Sequence, residues 1–107
     1  MKNRIALCFS VPFLAVSAAA AQEMGHVEEG EQLAMEVCSN CHAVTADEEL
    51  SPNIMVPSFL EIANTPGMTA IALSAWAQSP HPTMPNFVFT EQEVADLAAY
   101  ILSLKSD

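Results

Sequence analysis

At 107 residues the chain has room for one domain, and three Lys and Arg against 13 Asp and Glu make it strongly acidic. A formal net charge of −10 repels phosphate backbones and anionic lipid headgroups, which excludes nucleic-acid binding and electrostatic attachment to membranes as functions.

The first residues read as a targeting segment. Lys2 and Arg4 precede an apolar run from Ile5 to Val16, and small residues from Ser17 to Ala21 complete the layout of a secretory signal peptide over residues 1–21. The apolar run is shorter than the ~20 residues a membrane-spanning helix needs, and Pro12 interrupts it. Cleavage after Ala21 is therefore expected, with no stable membrane insertion afterwards. Cys8 leaves with the peptide, and the bulky Leu7 before it argues against a lipoprotein site. The mature chain keeps Lys105 alone against thirteen acids, a side-chain charge of −12, and such a surface attracts partners with basic docking faces. Its 86 residues are near the size at which a small core needs help from a metal, a disulfide or a cofactor.

Residues 22–27 are expected to be a mobile leader and residues 28–107 one domain, since no repeat or Gly/Ser-rich linker divides them. Leu33, Val37 and the pair Cys38 and Cys41 recur at near-helical spacing, and Glu28, Glu29 and Glu31 suit a helix N-terminus, which predicts a helix over 28–39. Periodicity fades over 43–57, where Asp47-Glu48-Glu49 and Ser51-Pro52-Asn53 read as surface loop. Ser58 and Glu61 form a capping-box pattern that opens a short helix ending near Asn64, and Thr65-Pro66-Gly67 is a turn. Thr69 can cap a helix over 70–78, whose bulky apolar members are Ile71, Leu73 and Trp76. Pro80, Pro82 and Pro85 exclude helix and central strand and hold an extended loop around Met84. Thr90 and Glu93 make a second capping box, with Phe89 and Val94 spaced for a hydrophobic staple, and Val94, Leu97, Ile101 and Leu104 share one helix face. With no sustained strand alternation, the expected fold is all-α, about four helices.

Chemistry concentrates in Cys38-Ser39-Asn40-Cys41-His42. Two thiols separated by two residues can add to the two vinyl groups of a haem as thioethers, and the imidazole that follows reaches the iron on the same side. A redox disulfide would usually open a helix after a strand, and structural zinc would need more ligands than His26 and His81 supply. The expected cofactor is one covalently attached haem c, held by Cys38 and Cys41 and ligated by His42.

From about Gly30 to Leu104 the sequence resembles the class I cytochromes c, particularly the short soluble bacterial members. The resemblance is carried by Gly30 eight residues before Cys38, the attachment motif near the N-terminus, Val56-Pro57-Ser58-Phe59, the run from Leu73 to Trp76 leading to Pro80, Met84-Pro85 and Ala99-Tyr100 in the last helix. It implies helices wrapped around one haem, with the first and last crossing at Gly30 and Tyr100. Many members carry a bulky residue four positions after that Gly. Ala34 stands there in this chain, and Leu33 or Met35 is expected to fill the space.

The resemblance also implies Met84 as the second axial ligand, flanked by Pro82 and Pro85, with Met55 and His81 as the alternatives. It implies that the Pro57 carbonyl accepts from the His42 ring, that Phe59 and Leu60 pack on the haem, and that Trp76 lies beside the methionine ligand. Asn86 is within sequence reach of donating to the Met84 sulfur. His81 is expected near the haem propionates, which neutral donors such as Trp76 and Ser79 would hold.

Iron with both axial positions filled has no free site for a substrate. The expected function is that of a periplasmic single-electron carrier with His/Met ligation, not an enzyme, and no catalytic residue is assigned. The segment His81-Pro82-Thr83 is short, leaving one haem edge open to redox partners. Two other readings are an electron-transfer cytochrome subunit of a periplasmic dehydrogenase or oxidase complex and, from a different class, a gas-binding or sensing haem protein.

Overall fold

The computed structural model describes residues 24–106; the expected signal peptide over 1–21 lies outside the described residues. Four α-helices follow in chain order: α1 (Val27–Leu33), α2 (Phe59–Asn64), α3 (Ala70–Ala77) and α4 (Glu91–Ser103). A π-helical turn, Ala34–Cys38, extends α1 without a break into the motif. The described residues contain no strand, only a β-bridge between His81 and Met84, so the fold is all-α.

Local chemistry explains where the helices begin. The Ser58 hydroxyl accepts from the Glu61 backbone N–H at 3.1 Å, and the Glu61 carboxylate accepts from the Ser58 N–H at 2.7 Å. Thr90 and Glu93 repeat the exchange at 3.2 and 2.7 Å, so each box satisfies two backbone donors that a helix start leaves without partners. Thr69 Oγ1 caps α3 by accepting from Ala72 N–H at 3.1 Å.

The first helix departs from plain α geometry as it nears the motif. Ser39 N–H donates to the Ala34 carbonyl at 3.0 Å, one residue further back than an α-helix would place it. The widened turn ends at Cys38, whose carbonyl then accepts from the N–H groups of Cys41 at 3.1 Å and His42 at 2.9 Å. The attachment motif is thus wound tightly onto the end of the helix.

Contact between α1 and α4 organises the core. A Cβ on Gly30 would overlap the Asp96 carbonyl oxygen and press on Tyr100 Cβ at 2.7 Å, so only glycine lets the two backbones meet here. Gly25 meets the Ala95 carbonyl in the same way. Ala34 is fully buried in the core, Leu33 packs against that core, and Met35 is half exposed. Of the two residues expected to compensate for a small Ala34, Leu33 is the one that packs inward.

The segment expected as a mobile leader over 22–27 differs in its described part. His26 N–H donates to Asp96 Oδ1 at 2.7 Å, Gly25 lies on α4, and Val27 already belongs to α1. Distant Asp96 supplies the acceptor that no neighbouring residue provides. The 43–57 segment carries exposed Leu50, Ile54 and Met55, as a surface loop does, yet it is tied down at both ends. Phe59 N–H donates to Ala43 O at 2.8 Å, Ala43 N–H to Ser51 Oγ at 3.0 Å, and Asn53 N–H to Cys41 O at 3.2 Å.

Candidate functional site

A cavity of about 520 Å³ opens between the motif, α2, α3, α4 and the proline loop, within the roughly 300–1,000 Å³ typical of cofactor pockets. Cys38, Cys41 and His42 line it together with Met84, Pro57, Phe59 and Trp76. Leu73, Leu97 and Ile101 contribute to its apolar walls, and no Asp, Glu, Lys or Arg is among its lining residues. Such walls favour a large planar apolar group over a charged substrate.

The two thiols are free, Cys38 buried and Cys41 exposed. Burial, and then the neighbouring Cys41, pushes the Cys38 thiol up to about 11. A redox nucleophile in a Cys-x-x-Cys pair needs the opposite shift, toward the thiolate. Among the described residues no three His, Cys, Asp or Glu side chains converge to hold a metal ion, so zinc at Cys38 and Cys41 would lack its further ligands.

His42 is oriented from its far side. Its Nδ1 lies 2.6 Å from the Pro57 carbonyl oxygen, and since a carbonyl only accepts, Nδ1 is the donor of that bond and Nε2 is the nitrogen left for a metal. The Phe59 ring packs at 5.4 Å from the imidazole, and Tyr100 follows at 6.5 Å from Phe59. Tyr100 OH donates to the Val44 carbonyl at 2.6 Å, joining α4 to the residues just after the motif. This arrangement suits an imidazole that donates its Nε2 lone pair to a metal inside the cavity.

Met84 sits on a turn. Its N–H donates to the His81 carbonyl at 3.3 Å, Thr83 adopts φ 70° to close the loop, and the Met84 side chain is half-buried at the cavity wall. Met55 also lines the cavity, but 82% of its surface is exposed. Trp76 packs edge-on against His81 at 5.5 Å, and His81 Nδ1 donates to the Ser79 carbonyl at 2.9 Å. Ser79 Oγ donates to Ala75 O at 2.6 Å and does not line the cavity. Asn86 is exposed and stands outside the lining.

Met68, on the turn before α3, and Phe87 line the cavity without a signal in the sequence, and Phe89, expected only as a helix staple, lines it too and stacks on Phe87 at 5.7 Å. Glu48 was equally opaque. Its carboxylate accepts from the Val44 and Thr45 N–H groups at 2.9 and 3.0 Å and from the Thr45 hydroxyl at 2.9 Å. Those donors, Thr45 foremost, hold it below the usual carboxylate range. The three-residue spacing from Thr45 to Glu48, a Thr-x-x-Glu pattern, is the signal that could have found it.

An all-α domain whose motif pair, imidazole and thioether line one apolar cavity has the form of a class I c-type cytochrome. The Cytochrome c family pattern matches residues 27–105, and the chain belongs to that family. It is 38% identical over 89 residues to cytochrome c-552 of Bradyrhizobium diazoefficiens, which covers 83% of this chain and 82% of the relative. No solved structure is a significant match. Family membership assigns a covalently attached haem c and its iron as cofactor and electron carriage to redox partners as the general function. No helix among the described residues is long and apolar enough to cross a membrane.

Proposed function

We propose that the chain is a periplasmic single-electron carrier, released from residues 1–21 on secretion, in which the domain over 28–107 binds one haem through Cys38 and Cys41 and ligates its iron with His42 and Met84. The observation that carries this reading is the His42 ring: its Nδ1 donates to Pro57 O at 2.6 Å, leaving Nε2 as the ligating nitrogen of a residue that lines the same cavity as Met84. Haem supplies a one-electron couple, iron cycling between its ferrous and ferric forms. The chain's own residues do the rest. Cys38 and Cys41 tether, Pro57 fixes the orientation of the His42 ring, and a soft thioether at Met84 favours the reduced metal. Phe59 and the apolar walls exclude water, which keeps a change of charge from reorganising solvent inside the site.

With both axial positions filled there is no place for a substrate, which supports a carrier without catalytic residues. Trp76 lines the cavity while 59% of its surface faces solvent, and Met55, which lines it too, is exposed as well, so the cavity mouth offers an apolar approach for a partner. Acidic residues dominate the rest of the surface, with Lys105 the one base of the mature chain, and this favours partners with basic docking faces.

Mass spectrometry of protein secreted by a bacterium with haem-attachment machinery tests the assignment. The expected mass is that of a chain starting near Gln22 plus one haem, stable to acid extraction. Cys38→Ala with Cys41→Ala should release the haem to acid. Extraction of haem from the unaltered protein would contradict covalent attachment.

A further inference from the structure

We propose that His81 is a reserve axial ligand, whose imidazole takes the iron position vacated when the Met84 sulfur is lost. The inference rests on the reading of Met84 as the sixth ligand. His81 and Met84 face each other in an antiparallel β-bridge, and both line the cavity. Residues opposed in such a bridge project their side chains to the same side, with Cβ atoms about 5 Å apart. A short movement of one turn therefore exchanges one side chain for the other.

The imidazole is also oriented for binding. Its Nδ1 donates to Ser79 O at 2.9 Å, which leaves Nε2 as the ring nitrogen available to the iron. Its ring is half-buried and held edge-on by Trp76 at 5.5 Å, 80° between planes. The competitors are placed worse. Met55 belongs to a separate loop and is 82% exposed, while His26 is engaged with Asp96 and does not line the cavity. On exchange, one coordinate bond to sulfur breaks and one to Nε2 forms. The step is a ligand exchange at constant oxidation state, and the Nδ1 proton stays on the imidazole. The sixth position remains closed, so a carrier that loses its thioether does not become a gas-binding protein.

The test uses ferric holoprotein, read by electron paramagnetic resonance and near-infrared magnetic circular dichroism, for wild type, Met84→Leu, and Met84→Leu with His81→Ala. The expected series is a sulfur-ligated low-spin signal, a low-spin signal with two nitrogen ligands, and loss of the low-spin signal in the double variant. A high-spin Met84→Leu protein overturns the reserve role and leaves the Met84 reading intact, as does a double variant that stays low-spin. A wild type without the sulfur signature removes the Met84 reading and this inference together. Should Met84→Leu fail to fold, wild type and His81→Ala in low urea carry the same comparison: a two-nitrogen signal must appear in the first and not in the second.

Discussion

Asp96 and His26, 70 residues apart in the chain, are joined twice: Asp96 Oδ1 accepts from the His26 backbone N–H at 2.7 Å and lies 3.2 Å from the His26 ring Nδ1. Gln92 Nε2 donates to the same oxygen at 2.6 Å. Burial alone would push the Asp96 carboxyl up, but the His26 N–H, the Gln92 amide and the His26 ring together hold it below the usual carboxylate range. Asp96 therefore closes the start of α1 from α4, where His26 has no side-chain cap of its own.

A carboxyl depressed in the folded state contributes stability above its unfolded value near 4 and loses it as pH falls through the folded one. Asp96→Ala is expected to destabilise the domain by about 1.5–3 kcal/mol at pH 7, the range for hydrogen bonds to a charged group. In urea unfolding the gap between wild type and variant should narrow below about pH 4. An equal gap at both pH values would contradict this role.

Gly30→Ala tests the seam between α1 and α4. Alanine is the better helix former by about 1 kcal/mol, yet its methyl group would enter the Asp96 carbonyl and Tyr100. Overpacking against backbone should prevail, with a net loss of about 1–3 kcal/mol in urea unfolding. A stabilised variant would mean that the helices can part freely.

Tyr100→Phe removes the hydroxyl that donates to Val44 O at 2.6 Å and leaves a buried carbonyl without a partner, for an expected loss of about 1–2 kcal/mol. Burial, and then the carboxylates of Glu31, Glu48 and Asp47, push the Tyr100 phenol up. A group raised in the folded state keeps its contribution below the unfolded value near 10 and loses it as pH rises through the folded one. Wild type should therefore lose stability in alkaline titration more steeply than the Phe variant, measured by helix ellipticity. Parallel alkaline curves would contradict the assignment.

What could be read in the sequence was what short-range chemistry determines. Ser58 with Glu61 and Thr90 with Glu93 lie three residues apart, so the caps of α2 and α4 are local facts, and the spacing of Cys38, Cys41 and His42 is likewise local. The π-helical turn over Ala34–Cys38 has no such signature, because nothing in those side chains demands that Ser39 bond to Ala34. The His26 and Asp96 pair depends on how α4 crosses α1, which is why residues up to Val27 read as a leader. Glu48 read as solvated charge because acids in a loop usually are, whereas its carboxylate organises the backbone after the motif. At the site, Pro57 and Trp76 came from family resemblance and both line the cavity; Asn86 does not.

Carbon monoxide addition to the reduced holoprotein, followed by absorption spectroscopy, tests the central claim most directly. With His42 and Met84 filling both axial positions, the spectrum of the native protein should be unchanged on the timescale of mixing. Rapid binding by the unaltered protein would mean that the sixth position is open, contradicting an electron carrier with His/Met ligation and favouring a gas-binding haem protein.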